Sequence, residues 1–119
     1  MTRLTGRRVL VVEDEALVAM LVEDALLEAG ATVLGPSATV AEALALLEKE
    51  TPEVAVLDLN LAGETSTPVA DVLAERGVPF VVATGYGAEG LPPAHSHVPV
   101  LAKPYDPDDL TAALGRLCS

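Results

Sequence analysis

Five apolar runs rich in β-branched residues recur along the chain, each bounded by polar residues, Gly or Pro. Continuous runs of this kind are typical of strands that are buried on both faces of a parallel sheet. The pattern therefore predicts strands at residues 9–12, 32–35, 54–57, 80–83 and 98–102.

Between these runs, apolar residues return every three or four positions, which is typical of helices with one buried face. Helices are predicted over residues 15–29, after Thr39, after Thr67 and after Asp106. Thr39 and Glu42 have the spacing of a capping box, which favours a helix start at that point. The first helix is expected to bury Val18, Val22, Ala25, Leu26 and Ala29.

The segment 85–99 breaks this regularity because it holds three Gly and three Pro. At most one helical turn is expected there, around residues 88–91. Counting it, strands and helices alternate along the whole chain, which predicts a parallel sheet covered by helices. The expected fold is α/β: a flavodoxin-like, doubly wound five-stranded parallel sheet of order 2-1-3-4-5, with helices on both faces and a fourth helix that is short or disordered. Residues 1–119 are expected to form one domain.

The charge balance excludes several classes of partner. Asp and Glu number 18 and Lys and Arg number 7, which gives a net charge of -11. Such a surface repels nucleic-acid backbones and anionic membranes, so neither is expected as a direct partner. No apolar run approaches the ~20 residues that span a bilayer. The single cysteine fits a reducing cytoplasm, and we expect a cytoplasmic monomer or weak dimer.

Polar side chains stand where four of the predicted strands end. Glu13 and Asp14 follow the first strand, Asp58 the third, Thr84 the fourth and Lys103 the fifth. The carboxyl ends of parallel strands share one edge of the sheet, which is where sites form in open α/β folds. Taken singly, Asp14 could cap a helix and Thr84 could be structural. Their coincidence at four strand ends favours a site.

Converging carboxylates repel one another unless a cation lies between them, and hard oxygen ligands suit Mg²⁺ (or Mn²⁺). We expect Asp14, Asp58 and the backbone carbonyl of Asn60 to bind the metal directly, and Glu13 to act through water. Lys103 would face an oxyanion and the Thr84 hydroxyl would donate a hydrogen bond. A carboxylate in such a setting can accept a phosphoryl group.

The chain resembles the receiver domain of bacterial two-component response regulators over essentially its whole length. The resemblance is carried by Val-Val-Glu-Asp-Glu at 11–15, Val-Leu-Asp-Leu-Asn-Leu at 56–61, Ala-Thr-Gly-Tyr at 83–86 and Leu-Ala-Lys-Pro-Tyr at 101–105. It implies that Asp58 is the phosphoacceptor, that Glu13 and Asp14 are the acidic metal-binding pair, and that Thr84 and Lys103 contact the phosphoryl group. It also implies a cis peptide bond between Lys103 and Pro104.

Three features depart from the usual receiver pattern. Val100 stands where many receivers carry an aromatic switch residue, Ala62 stands where a Pro is common, and the fourth helix is weakly encoded. Tyr86, two residues after Thr84, is the candidate replacement switch. Residues 82–86 are similar to the Phe-Ala-Thr-Gly-Tyr type of receiver, which is often a stand-alone or stress-response protein paired with HWE-type histidine kinases.

The resemblance implies two protein partners, a sensor histidine kinase and an unknown downstream protein. Leu17, Met20 and Leu21 lie off the predicted core stripe of the first helix, which makes them the candidate kinase-docking residues. His95 and His97 have no Cys or third ligand nearby in the sequence, so they are interpreted as solvated loop residues rather than as a metal site.

The expected function is that of a receiver that takes a phosphoryl group from a kinase onto Asp58 in a Mg²⁺-dependent reaction. It would then switch partner binding or act as a phosphate sink, without being a dedicated turnover enzyme. Two alternatives stay open at this point. One is a Mg²⁺-dependent phosphohydrolase that uses an aspartyl-phosphate, and the other is a pseudo-receiver that binds partners without phosphorylation.

Overall fold

A computed structural model describes residues 4–61, 63–84, 95 and 97–118 of the chain. Its centre is a parallel sheet of five strands in the order β2-β1-β3-β6-β7. The strands are β1 (Arg8–Val12), β2 (Thr32–Ser37), β3 (Val54–Asp58), β6 (Phe80–Thr84) and β7 (Val100–Ala102). The predicted α/β class and strand order are confirmed, since these are the first to fifth strands of the sequence pattern.

Four helices and one small hairpin complete the described part of the fold. The helices are α1 (Ala16–Glu28), α2 (Val40–Lys49), α3 (Thr67–Glu75) and α4 (Pro107–Leu117). The hairpin consists of β4 (Asn60–Leu61) and β5 (Glu64–Thr65), which pair antiparallel just after β3. The helical turn predicted around residues 88–91 lies outside the described residues. Within those described, no helix has both the length and the apolar character needed to cross a membrane.

The sheet separates two hydrophobic cores. Alternate side chains of each strand point to opposite faces, so Leu10 and Val12 join one core while Val9 and Val11 join the other. The first core is closed by α2 and α3, and the second by α1 and α4. All five residues of β3 are buried, as expected for a central strand covered on both faces.

Local sequence signals explain the helix starts. The Thr39 hydroxyl accepts a hydrogen bond from the Glu42 amide at 3.1 Å, and the Glu42 carboxylate accepts one from the Ala38 amide at 2.9 Å. This confirms the predicted capping interaction at α2. At α4, the Asp106 carboxylate accepts from the Asp108 amide at 2.8 Å. Both caps satisfy backbone donors that a helix leaves free in its first turn.

Three details of the sequence prediction are wrong. The second strand does not stop at Gly35 but continues to Ser37, and the last strand begins at Val100 rather than at residue 98. Along the first helix, Ala19 is buried, whereas the predicted core residues Val18, Ala25 and Ala29 are half-buried. The second strand is longer than expected because its pairing with β1 continues past Gly35 to Ser37.

Candidate functional site

The carboxyl edge of the sheet brings the predicted polar residues to one place. Glu13 and Asp14 follow β1, Asp58 ends β3, and Thr84 ends β6. Lys103 comes directly after β7. Glu13, Asp58 and Thr84 are at most 5% exposed, so these side chains are buried at the edge of the sheet.

Three carboxylates converge at this edge. One oxygen each from Glu13, Asp14 and Asp58 lies within 4.8 Å of the other two. An all-oxygen donor set of this charge and spacing fits a hard divalent cation such as Mg²⁺. Asp14 does not cap α1, because the residue at that position is Glu15.

Lys103 is the cation that the structure places against these carboxylates. Its Nζ donates to Oδ2 of Asp58 at 2.7 Å and lies 3.2 Å from Oε1 of Glu13. The second oxygen of Asp58, Oδ1, accepts from the Asn60 amide at 3.3 Å. Both oxygens of Asp58 are thus held, which fixes the orientation of the carboxylate.

The Lys103 ammonium faces two carboxylates at once, those of Glu13 and Asp58. Burial, together with the neighbouring Asp58, raises the pKa of Glu13 to about 7. Burial alone would lower the pKa of Lys103, but its hydrogen bonds to Asp58 and Glu13 outweigh this and raise it. Lys103 therefore stays charged, while the protonation of Glu13 changes near neutral pH.

Backbone hydrogen bonds join neighbouring strands at this edge of the sheet. The Lys103 amide donates to the Thr84 carbonyl at 2.9 Å, and the Leu59 amide donates to the Ala83 carbonyl at 2.9 Å. The Glu13 amide donates to the Ser37 carbonyl at 2.9 Å. The last residue of β2, Ser37, therefore contributes to this edge through its backbone, which holds the backbone of Glu13.

The stretch of the chain that carries these acids and Lys103 matches a known family model. The model of the response regulator receiver domain matches residues 9–115, which include every strand end described above. The chain belongs to the response regulator receiver domain family. Receiver domains are signalling modules, and they generally bind Mg²⁺ at an acidic pocket of this kind.

Solved structures of other receivers support the assignment. SdrG from Sphingomonas melonis Fr1 is 44% identical, with a TM-score of 0.81, and the match covers 100% of both chains. PhyR from Brucella abortus is 31% identical with a TM-score of 0.83, over 98% of this chain and 49% of that one. The receiver domain of PhyR from Erythrobacter litoralis is 28% identical with a TM-score of 0.82, over 95% of this chain and 90% of that one.

Among curated proteins, the transcriptional regulatory protein PdtaR of Mycobacterium tuberculosis is 30% identical over 112 residues. The match covers 91% of this chain and 55% of PdtaR. The chain therefore spans about half the length of the curated relatives it matches.

Several residues singled out in the sequence can be located in this receiver. The Lys103–Pro104 bond is cis, as the resemblance implied. Val100, where many receivers were expected to carry an aromatic residue, lies opposite Val82 in the β6–β7 ladder. Tyr86 and Ala62 lie outside the described residues.

The candidate docking residues of α1 are exposed. Leu17, Met20 and Leu21 have 68%, 54% and 50% of their surface accessible. Leu21 also lines a groove of about 320 Å³ between α1 and the start of α4. The opposite wall of this groove consists of Lys103, Pro104, Tyr105 and Pro107. Lys103 thus belongs both to the acidic cluster and to the groove.

Sequence reasoning missed the role of Tyr105 in this groove. Burial, followed by the nearby negative charge of Glu13, raises the pKa of the Tyr105 phenol to about 12. The phenol therefore stays neutral and forms part of an apolar wall. The sequence did carry a signal for this role, because an aromatic residue follows Lys103 and Pro104 directly in a chain that has only two Tyr and one Phe.

His95 is not the solvated residue that the sequence suggested. It is 4% exposed, its Nε2 lies 2.7 Å from Oδ1 of Asp71 on α3, and its ring packs edge-on against Phe80. His97 is exposed. In the parts of the chain that are described, the acidic cluster is the only group of three or more His, Cys, Asp or Glu side chains that could hold a metal ion. Neither histidine belongs to it.

Proposed function

We propose that this receiver takes a phosphoryl group onto Asp58 in a Mg²⁺-dependent reaction and thereby controls its binding to another protein. The observation that carries the proposal is the 2.7 Å contact of Lys103 with Asp58 inside a cluster of three carboxylates. We assign the whole of residues 1–119 to one receiver domain with this role.

Three residues of the chain have separate roles in the proposed phosphoryl transfer. Asp58 attacks phosphorus, so a bond forms between its carboxylate oxygen and phosphorus while the bond from phosphorus to the donor breaks. The donor leaves with the electron pair. Lys103 moves from the free carboxylate to the transferred phosphoryl oxygens, and the Thr84 hydroxyl donates to them.

Asp14, Asp58 and the Asn60 carbonyl are the proposed direct ligands of the metal, and Glu13 acts through water. When bound, Mg²⁺ (or Mn²⁺) supplies positive charge that offsets the carboxylates and the incoming phosphoryl group. A histidine kinase is the proposed donor, and the downstream partner is a protein whose binding differs between the two states of Asp58.

Intact-mass measurement after incubation with acetyl phosphate and Mg²⁺ tests this proposal. The expected result is one added phosphoryl group that is absent from Asp58→Asn and present in Asp24→Asn, an exposed acid on α1. No adduct from acetyl phosphate or from a kinase would indicate a pseudo-receiver instead. Fast turnover of a small phosphoester would indicate a phosphohydrolase.

We further propose that a kinase docks on Leu17, Met20 and Leu21 and on the groove beside them. Exposed apolar side chains next to a groove support this assignment. The groove is lined in part by Lys103, which contacts Asp58. Changing Leu17 and Met20 to Ala should slow transfer from the kinase while leaving acetyl phosphate unaffected.

Leu27 offers a matched control for the docking experiment. It is 55% exposed on the same helix but two turns further from the site, so Leu27→Ala should leave both reactions unchanged. Equal losses with both phosphoryl donors in the Leu17 and Met20 variants would contradict docking.

The finer family placement is also a proposal. Residues 82–86 resemble the Phe-Ala-Thr-Gly-Tyr type of receiver, and SdrG, at 44% identity, matches over its full length. PhyR, another similar protein, is a stress response regulator. We therefore propose pairing with an HWE-type kinase and a switching role for Tyr86. Tyr86→Phe should weaken the response of partner binding to phosphorylation without changing the amount of phosphoryl group taken up.

A further inference from the structure

The edge strand β2 bends just before it reaches the acidic cluster. Leu10 pairs with Leu34, but Val12 pairs with Ser37, so two steps along β1 correspond to three along β2. The extra residue is accommodated at Gly35, whose φ is +96°. A residue other than glycine rarely adopts this backbone conformation.

The surroundings of Gly35 leave no room for a side chain. A Cβ atom there would lie 2.7 Å from the Ser37 nitrogen and 2.9 Å from the Val11 oxygen. Both are backbone atoms of the β1–β2 ladder, and neither can move away without disturbing the pairing of the strands. Gly77 provides a contrast, since its φ is +72° but a Cβ atom there would meet nothing within 4 Å.

The bend has a direct consequence for the site. Because Ser37 lies opposite Val12, its carbonyl accepts the hydrogen bond of the Glu13 amide at 2.9 Å. In a parallel ladder each residue bonds to the two residues that flank its partner, so an unbent β2 would present a different residue to Glu13. Glu13 is 4% exposed and its carboxylate also accepts from the Glu15 amide at 3.1 Å.

We propose that Gly35 is a positioning residue for the acidic cluster, because it allows β2 to bring the Ser37 carbonyl to the backbone of Glu13. Gly35 touches neither the phosphoacceptor nor a metal ligand itself. Its effect on metal binding rests on the proposed function, whereas its effect on the Glu13 backbone does not.

The test compares Gly35→Ala with Gly77→Ala, which places the same side chain at a similar φ without the steric contacts. Amide hydrogen exchange in metal-free buffer is measured at Glu13 and, as a reference, at Val56 in the central strand. In Gly35→Ala the protection of Glu13 should fall about fivefold or more relative to Val56, which corresponds to the loss of one backbone hydrogen bond. In Gly77→Ala this ratio should not change.

A Mg²⁺ titration followed by the amide signals of Glu13 and Asp14 gives the second readout. The Kd should rise about fivefold in Gly35→Ala and stay constant in Gly77→Ala. An unchanged ratio of Glu13 to Val56 protection in both variants would overturn the positioning role. Lost protection with an unchanged Kd would also overturn the link to the cluster, while leaving phosphorylation of Asp58 to be judged by its own experiment.

If Gly35→Ala does not fold, the unmodified protein still decides the question. Saturation with Mg²⁺ should shift the ¹³C signal of the Ser37 carbonyl, because that carbonyl bonds to Glu13, and should leave the Gly77 carbonyl unmoved. A Ser37 carbonyl signal that does not respond to Mg²⁺, in a protein whose Asp14 amide does respond, would overturn the proposal.

Discussion

Two contacts between a basic side chain and a carboxylate flank the last strand of the sheet, and the nitrogen–oxygen distance is the same in both. His95, before β7, lies 2.7 Å from Asp71, and Lys103, after β7, lies 2.7 Å from Asp58. Their surroundings differ, because the Asp71 side chain is 61% exposed and that of Asp58 is 6% exposed. Water can therefore solvate Asp71, whereas Asp58 depends on protein groups and on any bound cation.

The comparison shows that the distance between a side-chain nitrogen and a carboxylate oxygen does not by itself identify a functional site. The His95 contact is a single pair that joins the approach of β7 to α3, and its carboxylate lies largely in water. The Lys103 contact belongs to a group of three converging carboxylates, whose mutual repulsion a metal ion would offset. Substitutions at the two contacts should therefore have very different effects.

The largest difference is expected in phosphorylation. Asp14→Asn removes a proposed metal ligand and should lower the rate of Mg²⁺-dependent phosphorylation at least about a hundredfold, because the metal supplies several kcal/mol of charge stabilisation. Asp71→Asn should leave this rate unchanged. Time courses of intact mass with acetyl phosphate would measure both. A similar loss in the two variants would contradict the distinction between the contacts.

The next effect concerns stability without metal. Lys103→Gln leaves the buried carboxylates without their cation, and near pH 8 it should lower the free energy of unfolding by about 3 kcal/mol. The loss should be smaller near pH 5, where Glu13 is protonated and the remaining repulsion is weaker. Urea denaturation measures this, with Lys49→Gln, an exposed lysine on α2, as the control. A loss independent of pH would argue against repulsion as its cause.

A third prediction concerns pH. The pKa of Glu13 is about 7 instead of its ordinary 4.5, so the folded protein binds this proton more tightly than the unfolded chain does. In metal-free buffer the contribution of Glu13 to the free energy of unfolding should therefore be largest below about pH 4.5. It should then decrease by about 1–3 kcal/mol up to about pH 7.

Glu13→Gln isolates this contribution, because glutamine cannot titrate. The difference between the two proteins in free energy of unfolding, measured across this pH range, should show the decrease. Saturating Mg²⁺ should reduce or reverse it, since the metal favours the ionised carboxylate. A difference that stays constant with pH would contradict the shifted pKa.

The smallest effect is expected at the other contact. Asp71→Ala removes the partner of His95 and should lower the free energy of unfolding by about 1 kcal/mol, since the carboxylate is largely exposed. Asp24→Ala, which changes an exposed acid on α1, should alter stability by less than this. A loss of about 3 kcal/mol or more in Asp71→Ala would mean that the His95 contact stabilises the fold as much as the Lys103 contact does, which would contradict the comparison.

Much of the fold was predictable because its main signal is local. Buried parallel strands require continuous apolar runs, and these runs predicted all five strands. The alternation of strands with helices favoured a flavodoxin-like fold, whose known strand order was then confirmed. The strand ends also predicted which polar side chains would meet at one edge. The structure places Glu13, Asp14, Asp58 and Lys103 together there, whereas their roles in phosphoryl transfer stay predictions.

The rest depends on contacts that local patterns do not encode. Gly35 and Pro36 resemble the end of a strand, since both residues are typical of turns, yet pairing with β1 carries β2 on to Ser37. His95 occurs among Pro and Gly, which are typical of loops, yet in the structure it is buried, packs on Phe80 and contacts Asp71. The β4–β5 hairpin is too short to show an alternating pattern.

The two cores on either side of the sheet also constrain how the length of the chain can change. Neighbouring residues of β3 belong to opposite cores. Inserting or deleting one residue there would turn every later side chain of the strand from one core toward the other. An edge strand has one neighbour and can absorb an extra residue as a bulge, as β2 does at Gly35. Insertions and deletions among relatives of this chain should therefore gather in the connections and in β2, and spare β3.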